Sequence, residues 1–366
     1  MSEPSRTHSA VSSEQNRWTS DLMQCGVQEW FPPHGRDAGV EHYFATAASM
    51  IEAACSGQGF HFHFTANIDT VPVSGPKSVV FVMSEENGLL PRYTGSVDAV
   101  FKCYGAKFVP TAQWLWNHPS LLMSCLARDA VVLKRILLAR WRWKQDRASE
   151  SFAPATVHHI PLGYYSPPPA ELPSWEHRVN DVFFAGSIRQ EVVERKSLLK
   201  IPNPKQVVRN DMAESLKRLA AKKHWRLKLL LAEGFVPHAV AWGLATEGST
   251  ISSDQYMREM ANSRICLAPR GTSFETFRHY EAASVGCIVV SDRLPNTWFY
   301  RNIPFIFVKD WREIDKVLER LPQDLANLRT LHEQTLRWWT NRLSPAALAN
   351  YVVRVLLMSA TVKLHD

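Results

Sequence analysis

The 366-residue sequence predicts an α/β protein with parallel sheets arranged in two domains. Three observations lead there. Strand-like apolar runs alternate with helical patterns along most of the chain. The stretch from Arg264 to Val290 has the order apolar strand, glycine turn, helix, apolar strand, which is the βαβ unit of a parallel sheet. Six prolines fall within the twenty residues from Pro154 to Pro173, and proline sustains neither a helix interior nor a central strand. That stretch divides the two domains.

Taken in order, residues 1–25 read as a disordered tail, polar and serine-rich at its start, and a first domain is expected over 26–153. His42 to Gly59 gives a helical pattern closed by Gly57 and Gly59. HFHFTANI (61–68) alternates like a strand, and Ser78 to Met83 forms a second one that runs into Ser84, Glu85 and Glu86. Ala99 to Tyr104 is a third apolar segment, and Leu121 to Lys144 reads as a long basic helix. Residues 154–175 are the proline-rich linker. The second domain, 176–325, opens with Asp181 to Ser187, an apolar strand ending at Gly186. A basic helical segment follows, then a strand-like LKLLLAEG (227–234) and a helix at Gln255 to Ala261. Residues 326–366 are expected to form terminal helices that pack back on the first domain. The apolar run Leu343 to Leu364 is broken by Asn350, Arg354 and Lys363, so it predicts an amphipathic helix and not a membrane span.

Composition narrows the function. With 45% hydrophobic and 21% charged residues the chain can fill two cores, and a largely disordered protein is excluded. A net charge of +7 favours an acidic partner: a nucleotide diphosphate, a nucleic acid or a membrane surface. The six cysteines contain no CxxC pair and no zinc spacing, and most of the thirteen tryptophans are expected in the core. With no apolar leader, the expected location is cytoplasmic, a secretory-membrane association being the alternative.

Three loops of the second domain follow apolar strands, at Gly186-Ser187-Ile188-Arg189, at Pro269-Arg270-Gly271-Thr272-Ser273 and at Ser291-Asp292. Ligands of open α/β sheets bind at such strand ends. Gly186 and Gly271 permit close approach of backbone to ligand, while Arg189, Arg270 and Arg278 supply charge for a diphosphate. Arg278 and Glu281 lie at i and i+3 on one helical face, and Glu281 is a carboxylate suited to ribose hydroxyls. The pattern is that of a nucleotide-sugar site. The run Arg189 to Lys228 carries twelve Lys/Arg against four Asp/Glu, a local +8, readable as a nucleic-acid surface or as a solvated helical face. No nucleic-acid motif accompanies it, and the solvated face is favoured.

CLAPRGTSFETFRHYEAASVGCIVV resembles the motif of exostosin-like glycosyltransferases of the family-47 type, departing at Val289, where that family has proline. VFFAGSIRQEVVERKSLL and HHIPLGYYSPP are similar to two further segments of the family, so the likeness covers about residues 155–320. The resemblance implies a GT-B fold, two Rossmann-like domains with parallel sheets facing a central cleft, and transfer of a sugar from a UDP-linked donor to a glycan or glycoconjugate hydroxyl. It places Gly186, Ser187, Arg189, Arg270, Gly271, Thr272, Ser273, Arg278 and Glu281 on the donor. It implies inversion, which requires a general base from the first domain. Glu85 and Glu86 lead, ahead of Asp69 and His159. No Asp-x-Asp motif is present, so neither a metal nor another cofactor is expected. The alternatives are a non-catalytic nucleotide-sugar-binding relative and a nucleic-acid-binding protein using residues 189–228.

Overall fold

The computed structural model describes residues 15–22, 28–29, 40–86, 88–105, 126, 129–138, 140–141, 144, 155–189, 204–222, 225–233, 245–246, 249–250, 252–271, 273–321 and 325–363. Two parallel-sheet α/β halves are present, the layout implied by the GT-B resemblance.

The first sheet has six strands in the order β2-β1-β3-β4-β5-β6. They are β1 (Arg17–Ser20), β2 (Gln28–Glu29), β3 (His61–Thr65), β4 (Gly75–Val82), β5 (Val97–Lys102) and β6 (Val157–His159). Only the β1–β2 pair is antiparallel. The apolar run of β4 is buried on both faces, as parallel strands require. Val79 and Phe81 join the main core, while Val80 and Val82 join a smaller cluster with Val73, Tyr93, Val97 and Val100. Phe64, Phe81 and Phe101 stack across three strands with centroids 4.6 and 5.3 Å apart.

Two boundaries differ from the sequence reading. The tail expected over residues 1–25 contains β1, held in the sheet by Trp18, whose ring stacks on Phe62 at 4.1 Å and whose Nε1 donates to Glu52 at 2.7 Å. A strand of four residues is too short for its alternation to register, and one tryptophan supplies its burial. The proline-rich linker likewise contributes β6, because its prolines lie outside Val157–His159 and leave those donors available to β5.

The second sheet is wholly parallel, in the order β13-β12-β11-β7-β8. Its strands are β7 (Asn180–Arg189), β8 (Leu227–Glu233), β11 (Ser263–Ala268), β12 (Ile288–Ser291) and β13 (Ile306–Phe307), with a short antiparallel pair, β9 (Ala245–Thr246) and β10 (Ser249–Thr250), beside it. Its helices are α3 (Pro204–Ala220), α4 (Ser253–Ala261), α5 (Phe277–Ser284) and α6 (Ile314–Glu319). Small residues on α5, Ala282 and Ala283, are fully buried and let that helix sit close to the sheet.

In the first half, α1 (Val40–Ala54) precedes β3, and residues 129–138, 140–141 and 144 are helical and make up helix α2. The chain ends in α7 (Leu325–Trp338), a π-helical turn at Trp339–Leu343 and α8 (Pro345–Lys363). Helix α8 lies against α1; just before it the Leu343 carbonyl accepts from Tyr43 of α1 at 2.5 Å, and Tyr351 of α8 meets His158 of β6 at 3.1 Å. Gly163 (φ 72°) lies under the Tyr43 ring, where a β-carbon would come within 2.3 Å of Cδ1. The main core is continuous through both sheets and α8. Among the described residues no helix is long and apolar enough to cross a membrane.

Candidate active site

Strands β7, β11 and β12 run in the same direction, so their carboxyl ends bring Gly186, Arg270 and Asp292 to one edge of the second sheet. Gly186 adopts φ 149°, a conformation that disfavours any β-carbon, and it has little room for one. Such an atom would lie 3.0 Å from Arg278 Nη2 and 3.4 Å from Arg209 Nη1. The strand expected to end at Gly186 runs on to Arg189, paired with β8, and at Gly186 it is roofed by two guanidinium groups.

Arg278 sits in the first turn of α5, 5.0 Å over the Phe184 ring, and donates from Nη2 to the Ala185 carbonyl. Its Nε and Nη1 are buried and find no hydrogen-bond acceptor in the protein. Arg209 comes from α3 and is 6% exposed, with Lys205 one turn before it. Burial, and then the charges of Arg209 and Arg278, push the Lys205 ammonium down to about 8. Burial and Arg278 push Arg209 to about 9, with Asp292 working in the opposite direction. Cations this close repel one another, and an anion among them relieves the repulsion.

Arg270 is 1% exposed and lies 4.1 Å over the Phe274 ring. Its backbone N–H donates to Asp292 Oδ2 at 2.6 Å, while Trp311 Nε1 donates to Oδ1 at 2.8 Å. Burial raises the Asp292 carboxyl to about 6 against the pull of those donors. Behind it His279 accepts from the Thr276 N–H at 3.2 Å through Nδ1, so Nε2 donates to Ser291 Oγ at 2.7 Å. Burial pushes this imidazole down to about 3, and it is neutral.

Glu281 reaches the same region from α5, but its carboxylate is already engaged. Oε1 accepts from the backbone N–H groups of Tyr165 (3.2 Å) and Ser166 (3.1 Å), and Oε2 from Tyr256 Oη at 2.7 Å. Three of about four acceptor positions on a carboxylate are thereby filled. Glu275, which sequence reasoning did not single out, is also buried, in the loop before α5. Its side chain is 1% exposed, and Oε1 lies 3.1 Å from Nε2 of His159, at the end of β6. This pair joins the two halves, as does the Trp298 Nε1 hydrogen bond to the His159 carbonyl at 2.9 Å.

The first-half candidates separate. Glu85 (φ 73°) accepts the Leu89 N–H at 2.6 Å and pairs with buried Lys102 at 3.3 Å. Lys102 also donates to the carbonyls of Glu85 and Gly105, both at 2.8 Å, so this carboxylate braces the loop after β4. Glu86 is exposed, and its charge acts on Lys205 of α3 in the other half. Asp69 sits at the surface, 3.8 Å from Arg92. Gly271 and Ser273 follow Arg270 and are partly exposed. Thr272 and the side chains of Ser187 and Arg189 lie outside the described residues; the backbone of the latter two continues β7.

Lys205 and Arg209 were missed individually. Their signal was the i, i+4 spacing of Lys205 and Arg209 inside a run read only for its total charge. Further along that run the cations are paired locally: Lys217 with Glu214, Arg218 with Asp315, Lys222 with Glu319, Arg226 with Asp181 and Lys228 with Glu259.

Residues 232–359 match the family described as the RXYLT1 C-terminal domain. Ribitol-5-phosphate xylosyltransferase 1 of Danio rerio is 33% identical over 127 residues, which are 31% of this chain and 28% of that protein. The chain thus matches less than a third of the relative's length. Among solved structures, sucrose-phosphate synthase from Thermosynechococcus elongatus aligns with 95% of this chain and 100% of its own, at 14% identity and a TM-score of 0.47. WaaG, a glycosyltransferase involved in lipopolysaccharide biosynthesis, aligns over 87% and 96% of the two chains, at 13% identity and a TM-score of 0.38.

Proposed function

We propose that this protein is a glycosyltransferase that moves a sugar from a nucleotide diphosphate donor to the hydroxyl of a glycan or glycoconjugate. The observation that carries the reading is the convergence of Arg209 and Arg278 on Gly186, with two Arg278 donors buried and unsatisfied and with Lys205 close enough to feel both charges. Unsatisfied buried donors are costly unless a ligand completes them, and a diphosphate has the charge and the oxygens to do so. The exostosin-like motif lies inside the match to the RXYLT1 C-terminal domain, so both include Arg270, Arg278 and Glu281 and support the same reading. The zebrafish relative's name suggests a pentose, and we take the donor to be a UDP-linked xylose or similar sugar.

In this reading the acceptor oxygen attacks the anomeric carbon as its bond to the diphosphate breaks, with inversion. The leaving diphosphate's charge rests on Lys205, Arg209 and Arg278, which exist before the reaction and need no reorganisation. Because these side chains meet the charge, transfer needs no divalent cation. Glu86 takes the acceptor's proton, and Glu85 shapes its loop through Lys102. Arg270, held by Asp292, adds positive potential from below, and Gly271, Thr272 and Ser273 with the Gly186-to-Arg189 end of β7 line the phosphates. Glu281 holds the Tyr165–Ser166 segment in place and has one acceptor position left for a ribose hydroxyl.

Isothermal titration with UDP tests the donor site. Arg278→Ala and Arg209→Ala are each expected to weaken UDP at least tenfold, the loss of a charge-assisted hydrogen bond of about 1.5–3 kcal/mol. Wild-type affinity in both would sink the assignment. UDP release from a UDP-sugar panel, unchanged by EDTA and lost in Glu86→Gln, tests the chemistry.

A further inference from the structure

Helix α2 has the burial pattern of a surface made to be covered. Of its large apolar side chains Ile136 is buried, at 4%, whereas Val131, Leu133, Leu137 and Leu138 are 52, 42, 56 and 42% exposed. Trp141, one turn on from Leu137, is 57% exposed. Leu133, Leu137 and Trp141 recur every four residues, so they form one stripe along the helix. Apolar side chains scattered singly on a surface need no explanation, but a stripe of neighbours does.

The charge around the stripe indicates what covers it. Lys134, Arg135, Arg140 and Lys144 are all exposed. From Arg128 to Lys144 the sequence has six Lys/Arg (128, 134, 135, 140, 142, 144) and one acidic residue, Asp129. An interfacial helix has this make-up, an aliphatic and tryptophan face bordered by basic residues. Long basic side chains reach lipid phosphates while their stems stay with the apolar face, and tryptophan suits the headgroup boundary.

We propose that α2 docks the protein on an anionic lipid bilayer, lying in the plane of the interface with Leu133, Leu137 and Trp141 inserted and its cations on the headgroups. This is independent of the transferase reading. A protein partner would need one acidic group placed for each cation, whereas an anionic leaflet supplies diffuse negative charge wherever the cations fall.

Flotation with phosphatidylcholine vesicles containing roughly one-third phosphatidylserine tests it. Full-length protein is expected to float with these vesicles and not with pure phosphatidylcholine, and binding should fall as salt is added. The double variant Leu137→Glu/Trp141→Glu should abolish flotation while keeping the wild-type thermal midpoint, because both side chains are already exposed. A second variant, Lys134→Ser/Arg135→Ser/Arg140→Ser, should weaken binding by about fivefold per cation removed. Absence of wild-type flotation, or flotation undiminished by the double variant, overturns the proposal. A dimer in sedimentation that the double variant dissolves, without vesicle binding, overturns it in favour of a second copy of the chain.

Discussion

Lys205 and Arg278 are held close enough to resist each other's charge, which makes the site sensitive to pH in a definite direction. The Lys205 ammonium is pushed down to about 8, so the folded protein holds that proton less tightly than the unfolded chain does. Between that value and the ordinary lysine value the unfolded chain binds more protons, so the unliganded protein gains stability as pH rises through about 8. The same rise removes a cation from the donor site, so UDP affinity falls. The expected outcome is a thermal midpoint and a UDP affinity that move in opposite directions over this window, measured by scanning calorimetry and titration. Lys205→Ala should remove the part of both profiles that begins near pH 8 and leave the part that begins near 9 with Arg209. At this scale the sequence was legible where a residue sat in a motif: Arg278 stands beside Gly186, and Arg270 sits at its strand end. It was not legible where charge was counted over a run. The ion-paired Lys217 and the site-facing Lys205 look alike until α3 is folded and its faces are distinguished.

Among the elements, α5 does two things at once, presenting Arg278 from its first turn and Glu281 one turn later. The sequence showed both residues on one helical face and assigned both to the ligand. It could not show that Tyr165, Ser166 and Tyr256 converge on the carboxylate, because those donors lie 116, 115 and 25 residues away in the chain. Tyr256→Phe removes the donor at 2.7 Å and leaves a buried carboxylate oxygen unsatisfied. The variant is expected to lose about 1–3 kcal/mol of stability in urea titration. Its UDP affinity should stay within a fewfold of wild type. A variant as stable as wild type but unable to bind UDP would reverse the two roles given to Glu281. Strands followed similar logic: β4, β7, β11 and β12 were plain from their apolar runs, whereas β1 and β6 are short and owe their place to neighbours already in the sheet.

For the molecule as a whole, the main core includes Phe81 of the first sheet, Val182 of the second and Val352 of α8 in one cluster. Two halves that share a core unfold together. A single calorimetric transition is therefore expected, with equal van't Hoff and calorimetric enthalpies, and two resolved transitions would contradict it. Alternation of strand and helix announced two layered halves, but nothing in a linear pattern announces that α8 belongs with α1. That pairing also sets the order of events during synthesis. Tyr43 waits for the carbonyl of Leu343, 300 residues later, an interval of about 15–60 s at ribosomal speeds of roughly 5–20 residues per second. Until then the face of α1 that α8 covers stays open to water, so the amino-terminal half, first out of the ribosome, is among the last to be finished.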